Sequence, residues 1–175
     1  NPNGQPLPDN HVGDIVVQSN CMLTEYYRRD DLRPFQKGWY QTGDKGYLHN
    51  GELFVIGREK DLIINAGKNV YPQDLEAIVN GVAGVYPGRA VAFGVPDEKE
   101  GTELIAIVLE PKTAVLTPDQ QNQLKRAVRQ AIAQNSLVTA SFVTLVPHGW
   151  LIKTSSGKAA RAANRQKWQA HVRAE

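Results

Sequence analysis

Three short segments carry residue types suited to chemistry on a phosphorylated substrate. In Tyr40-Gln41-Thr42-Gly43-Asp44 a carboxylate follows a glycine turn. There Asp44 can accept hydrogen bonds from two vicinal hydroxyls, such as those of a ribose. Gly57-Arg58-Glu59-Lys60-Asp61-Leu62-Ile63-Ile64 offers Arg58 as a fixed cationic fork for phosphate or ribose. It runs into Asn65-Ala66-Gly67-Lys68-Asn69-Val70-Tyr71-Pro72, where Gly67 lets the backbone approach a ligand closely. Lys153-Thr154-Ser155-Ser156-Gly157-Lys158 is a small polar loop ending in Gly-Lys, which suggests phosphate contact by backbone amides and one ammonium. It is not a P-loop, because Ile152 and Ala159 stand where that motif needs Gly and Ser or Thr. Each segment alone also has a plainer reading: a turn Asp bonded to local amides, a solvated charged turn, a capped helix start beside an exposed lysine.

Other chemistry-bearing residues form no constellation. His11, His49, His148 and His171 lack metal-ligand spacing, and with Cys21 as the single cysteine no zinc cluster is expected. Lys158, Arg161, Arg165, Lys167 and Arg173 crowd the C-terminal stretch around Trp168. A nucleic-acid reader would look similar, but so would a solvated helix face with one aromatic on the core. A net charge of +2 favours the second.

The elements that must position these segments follow from periodicity and turn signals. Val12 to Gln18 reads as a strand, and residues 20–38 read as irregular. Lys45 to His49 and Glu52 to Ile56 form a hairpin about Asn50-Gly51. The charged run Gly57 to Asp61 marks a domain boundary, followed by a short apolar run, Leu62 to Ile64. Pro72 to Val82 reads as a helix with Leu75, Ile78, Val79 and Val82 on one face. Arg89 to Val95, Glu103 to Leu109 and Ser141 to Val146 read as strands. The helix Thr117 to Asn135 has a capping box of Thr117 and Gln120, with Leu124, Val128, Ala131 and Ile132 as its stripe. A basic helix runs from about Lys158 to Val172. The expected fold class is α+β: a small sheet with about three helices, preceded by a β-rich segment.

Composition bounds the rest. The 175 residues suffice for one ordinary domain or a domain with part of another. Apolar content of 41% and charged content of 22% are those of a soluble globular protein. No apolar run is long enough to span a bilayer. The chain opens Asn1-Pro2-Asn3-Gly4, without Met or the pattern of a signal peptide, so a processed or engineered fragment is expected, and the single Cys21 fits a reducing, cytoplasmic compartment.

Taken together and in order, the three segments resemble the C-terminal motifs of the adenylate-forming (ANL) superfamily, which includes acyl-CoA synthetases, fatty acyl-AMP ligases, peptide-synthetase adenylation domains and luciferases. Tyr40 to Asp44 looks like that family's Y-x-T-G-D, Gly57 to Asp61 like its G-R-x-x-D hinge segment, and Lys153 to Lys158 like its terminal K-T-x-S-G-K. Gly13-Asp14-Ile15-Val16-Val17 is similar to the preceding strand, and Tyr71-Pro72-Gln73-Asp74-Leu75-Glu76 looks most like fatty acyl-AMP ligases and related long-chain acyl activators. The chain departs from the pattern at Ile152, where the family usually has Pro, at Gln41 and Lys45, which replace a common Arg and Leu, and at Ala66, which replaces a frequent Arg.

The resemblance implies an ATP-dependent ligase that forms acyl-AMP from a carboxylic acid, expected to be fatty, and passes the acyl group to a thiol of CoA or an acyl carrier protein. It implies that Asp44 holds the ribose hydroxyls and Arg58 supports the nucleotide. Lys60 would be the hinge, Gly67 would belong to the acceptor-side loop, and Lys158 would be the catalytic lysine. Residues 1–57 would be the last strands of a large N-terminal domain, 58–61 the hinge, and 62–175 a mobile C-terminal domain. Mg²⁺ would be bound mainly by the N-terminal domain, and the chain alone is expected inactive. The rival readings are a non-catalytic interaction module or a nucleic-acid-binding module on the same fold. Salt-sensitive binding of generic nucleic acid would mark the latter.

Overall fold

The computed structural model describes residues 4–28, 31 and 33–172. Arg173 and part of the expected irregular stretch 20–38 lie outside the described residues. Two compact units result, Asn1–Lys60 and Asp61–Glu175.

The first unit is β-rich. Strands β1 (Gly13–Val17), β2 (Phe35–Gln36), β3 (Trp39–His49) and β4 (Glu52–Arg58) form one antiparallel sheet with β3 at its centre. The expected hairpin is present and longer at both ends. Asn50 and Gly51 both take positive φ, 52° and 80°, which matches the right-handed twist of the strands they join. Phe35–Gln36 pairs with β3, so the 20–38 stretch is not wholly irregular. Among the described residues of this unit Gly46 alone is buried. A Cβ there would stand 2.5 Å from the Phe54 carbonyl oxygen, so only glycine lets β3 and β4 close. The apolar side chains Val12, Val16, Val17, Leu48, Leu53 and Val55 are exposed. Among the described residues of this unit no apolar side chain is buried.

After β4 a single 3₁₀ turn, Glu59–Asp61, breaks the sheet. The second unit, α+β as expected, opens with a small hairpin, β5 (Ile63–Asn65) and β6 (Lys68–Val70), then α1 (Pro72–Asn80). Strands β7 (Val85–Asp97) and β8 (Thr102–Pro111) pair antiparallel. Helix α2 (Pro118–Asn135) returns the chain so that β9 (Phe142–Leu145) lies parallel to β8. Helix α3 (Arg161–Val172) ends the chain. It starts three residues later than expected, because Lys153 and Ala159 form an antiparallel bridge that keeps the segment before it extended.

β8 is buried from Ile105 to Glu110, and its two faces feed two cores. Ile105, Ile107 and Leu109 pack with Leu75 and Val79 of α1 and Leu124, Val128 and Ile132 of α2. Ala106 and Val108 pack with Val91, Phe93 and Trp168 of α3. A central strand covered on both faces reads as a continuous apolar run, and each fully buried large aliphatic contributes about 1.5–3 kcal/mol.

Candidate functional site

Thr42-Gly43-Asp44 is not a turn before the hairpin but a bulge inside β3. Asp14 pairs with Lys45 and Val16 with Gln41, so Ile15 alone faces the three residues. Thr42 replaces the missing ladder bond: its Oγ1 donates to the Ile15 carbonyl at 2.7 Å and accepts from the Asp44 amide at 3.0 Å. Gly43 supplies the left-handed backbone, φ 74°. The bulge therefore needs Thr and Gly to present Asp44. Across the ladder Asp44 sits opposite Arg58, whose Nε donates to Asp44 Oδ1 at 3.0 Å. Both side chains are in reach of solvent, 32% and 50% exposed, and no described residue donates to Asp44 Oδ2. Asp44 and Arg58 thus form one cross-strand pair with a free carboxylate edge.

Beneath the pair, Lys45 bonds Asp14 and lies 3.1 Å from Glu59. The Asp14 bond, with a smaller push from Glu59 and against some burial, holds its ammonium above the usual lysine range. The Tyr26 and Tyr40 hydroxyls are bonded to each other, which with burial raises Tyr40. Lys60 is exposed in the 3₁₀ turn.

In the second unit, Gly67 occupies the turn joining β5 and β6, where Ala66 and Gly67 take φ 48° and 76°. The turn is fastened to the start of β8: the Ala66 amide donates to Thr102 Oγ1 at 2.7 Å and Asn65 Nδ2 to the Glu103 carbonyl at 2.7 Å.

The Lys153–Lys158 segment is a miniature hairpin. The Gly157 amide donates to the Thr154 carbonyl at 2.9 Å, the Thr154 amide to the Lys158 carbonyl at 2.8 Å, and the Lys158 amide to Thr154 Oγ1 at 3.2 Å. Gly157, at φ 80°, is the left-handed residue that closes such a turn. The expected cradle of free amides is therefore not what the structure holds, since these three amides are spent inside the loop. What remains is Lys158 itself, exposed, with its ammonium unpaired among the described residues.

Two basic residues of α3, Arg161 and Lys167, and its Trp168 are held by contacts inside the second unit. The Arg161 guanidinium grips Glu76 with two bonds, 3.0 and 2.7 Å, and Asp61 with a third, 3.1 Å. Burial lowers its proton affinity, but Glu76 and then Asp61 raise it more. Lys167 lies 4.2 Å over the Trp150 ring, and the Trp168 indole donates to Thr144 Oγ1 at 2.8 Å. Sequence reading placed Arg161 on a solvated face and missed its two carboxylates, which are far away in the chain. It also missed two buried polar side chains, Asn164 and Glu110. The Glu110 carboxylate accepts from the Leu151 amide at 2.9 Å. Its other oxygen lies 3.7 Å from Arg89 and 3.8 Å from His148, within ion-pair range but beyond a hydrogen bond. No local pattern marks either residue.

No protein-family model matches the chain. It is similar to the long-chain-fatty-acid–AMP ligase FadD26 of Mycobacterium marinum, 37% identical over 174 residues, 89% of this chain and 29% of that protein. In structure it is similar to McyG A-PCP complexed with phenylalanyl-adenylate, with a TM-score of 0.87 and 31% identity over 97% of this chain and 27% of that one. It is also similar to the fatty acyl-adenylate ligases from E. coli and L. pneumophila, with a TM-score of 0.79 and 33% identity over 100% of this chain and 30% of that one. The chain belongs to the adenylate-forming superfamily. Its second unit has the fold of the C-terminal domain of adenylate-forming enzymes. The chain spans less than a third of the length of the curated relatives it matches. Among the described residues no helix is long and apolar enough to cross a membrane.

Proposed function

We propose that this chain is the C-terminal part of an ATP-dependent acyl-activating ligase that makes acyl-AMP from a fatty acid and hands the acyl group to a thiol, on CoA or an acyl carrier protein. The observation that carries the reading is Lys158: a lysine immediately after a left-handed glycine, on a hairpin whose Thr154, Gly157 and Lys158 amides are bonded within the loop, with its ammonium exposed and unpaired among the described residues. Such a group can be brought to charge developing between an acyl carboxylate and the α-phosphate, where a preorganised donor stabilises the transition state. Asp44 would accept the ribose hydroxyls on its free edge while Arg58 fixes its orientation. Lys60, exposed in the 3₁₀ turn, would be the hinge about which residues 62–175 move, and Gly67 would face the acceptor side. The exposed apolar strands of residues 4–60 support a covering N-terminal domain in a longer chain. Mg²⁺ would neutralise the triphosphate, held mainly by that domain. The setting that goes with this chemistry is cytoplasmic.

In the full-length protein, Lys158→Ala should slow adenylate formation by roughly 10²–10³-fold, the scale for losing one preorganised stabiliser. Transfer from pre-made acyl-adenylate to the thiol should be spared, and Lys153→Ala should do far less. Single-turnover measurement of each half-reaction decides. Equal slowing of both halves, or of neither, would refute the assignment.

A further inference from the structure

We propose that Asn164 is the positioning residue for Lys158 and that it is matched to Ile152. The proposal rests on the role of Lys158 given above and adds what holds that lysine in place.

Asn164 sits on α3 with none of its surface exposed. Its Oδ1 accepts from the Ile152 amide at 2.9 Å, and its Nδ2 donates to the Ile152 carbonyl at 2.8 Å and the Ala160 carbonyl at 3.0 Å. Both donors and the acceptor of the carboxamide are thereby used. Ile152 and Ala160 are the two ends of the hairpin that carries Lys158, and Ala160 also donates to the Ile152 carbonyl at 3.0 Å. One buried side chain therefore clamps the base of the catalytic loop to the helix.

Packing alone does not call for an amide here. A buried carboxamide costs free energy unless its hydrogen bonds are met, and an apolar residue would fill a helix position facing a core more simply. The three bonds explain the Asn as a device for the loop. They explain Ile152 as well. A residue at 152 must have an N–H to give, which proline lacks. With proline, Asn164 Oδ1 would be buried without its donor. The two residues form a matched pair in this chain.

The test uses the full-length protein, with dodecanoic acid and ATP for adenylation, and pre-made dodecanoyl-adenylate with CoA or a pantetheinylated carrier protein for transfer. Asn164→Leu should slow adenylation by about 10- to 100-fold, as expected when a catalytic group is misplaced by about an ångström. Transfer should be unchanged, as should KM for ATP. Ile152→Pro should also slow adenylation. The double variant should be no slower than Asn164→Leu, because both substitutions break the same contact. Loss in both half-reactions alike, loss in neither, or additive effects would overturn the proposal. If Asn164→Leu does not fold, Ile152→Pro decides by the same split between half-reactions. Lys158→Ala separates the two layers. If it slows adenylation and the Asn164 and Ile152 variants do not, only the positioning role falls. If Lys158→Ala itself has no effect, the functional reading falls and this proposal with it.

Discussion

At the scale of single residues, the first unit shows how one polar side chain makes a strained strand tenable. Thr42 and Gly43 let β3 bulge so that Asp44 meets Arg58, and Lys45 secures the base through Asp14 and Glu59. The Lys45 ammonium is held above the ordinary lysine range, first by the Asp14 hydrogen bond. A group whose folded pKa is raised contributes stability that is fully present below the unfolded value, about 10.4 for lysine, and is lost as pH rises through the folded value. The stability of β3 should therefore fall on the alkaline side of about pH 10.4. In Lys45→Gln that component of the fall should be missing while the neutral-pH stability is lower. Amide exchange of β3 residues against pH measures both. A wild-type and variant difference that does not change with pH would show that the pair contributes nothing through protonation.

At the scale of elements, the chain relies on local signals wherever an element must start or stop sharply. Thr117 accepts from the Gln120 amide at 3.3 Å while Gln120 Oε1 accepts from the Thr117 amide at 2.9 Å, so the capping box read from sequence is formed in full. Helix α2 covers one face of β8 and sets the parallel crossover to β9. Thr117→Ala should lower the stability of the second unit by about 0.5–2 kcal/mol, measured by urea unfolding. Thr117→Ser should keep most of it, and equal loss in both would point to the methyl group rather than the cap.

At the scale of the whole molecule, the two units differ in kind. Every buried apolar side chain among the described residues lies between Ile63 and Trp168, in two cores on the faces of one sheet. Residues 61–175 expressed alone should unfold in a single cooperative transition, since small domains with their own core do so. Residues 1–60 alone should show none, because Leu48, Leu53 and Val55 remain uncovered. Circular dichroism in a urea series reads both. A cooperative transition in 1–60, or its absence in 61–175, would contradict this division.

Sequence by itself determined most of the elements and the family. Periodicity, the Asn50-Gly51 turn and the Thr117 cap are local effects, set by neighbours a few residues apart, and the hairpin, α1 and α2 formed where they were expected. The ordered motifs likewise pointed to the adenylate-forming superfamily, and they are what makes Asp44, Arg58 and Lys158 the candidate site. Tertiary structure alone decided how those residues are held. Asp44 sits on a bulge rather than a turn because Ile15, far back in the chain, sets the register. Arg161 is a half-buried clamp rather than a solvated charge because Glu76 and Asp61 converge on it across the fold. Asn164 closes the Lys158 loop because α3 folds back over Ile152. Hydrogen bonds between distant segments leave no period and no turn signal in a sequence; they exist only once the cores on either side of β8 have brought those segments together.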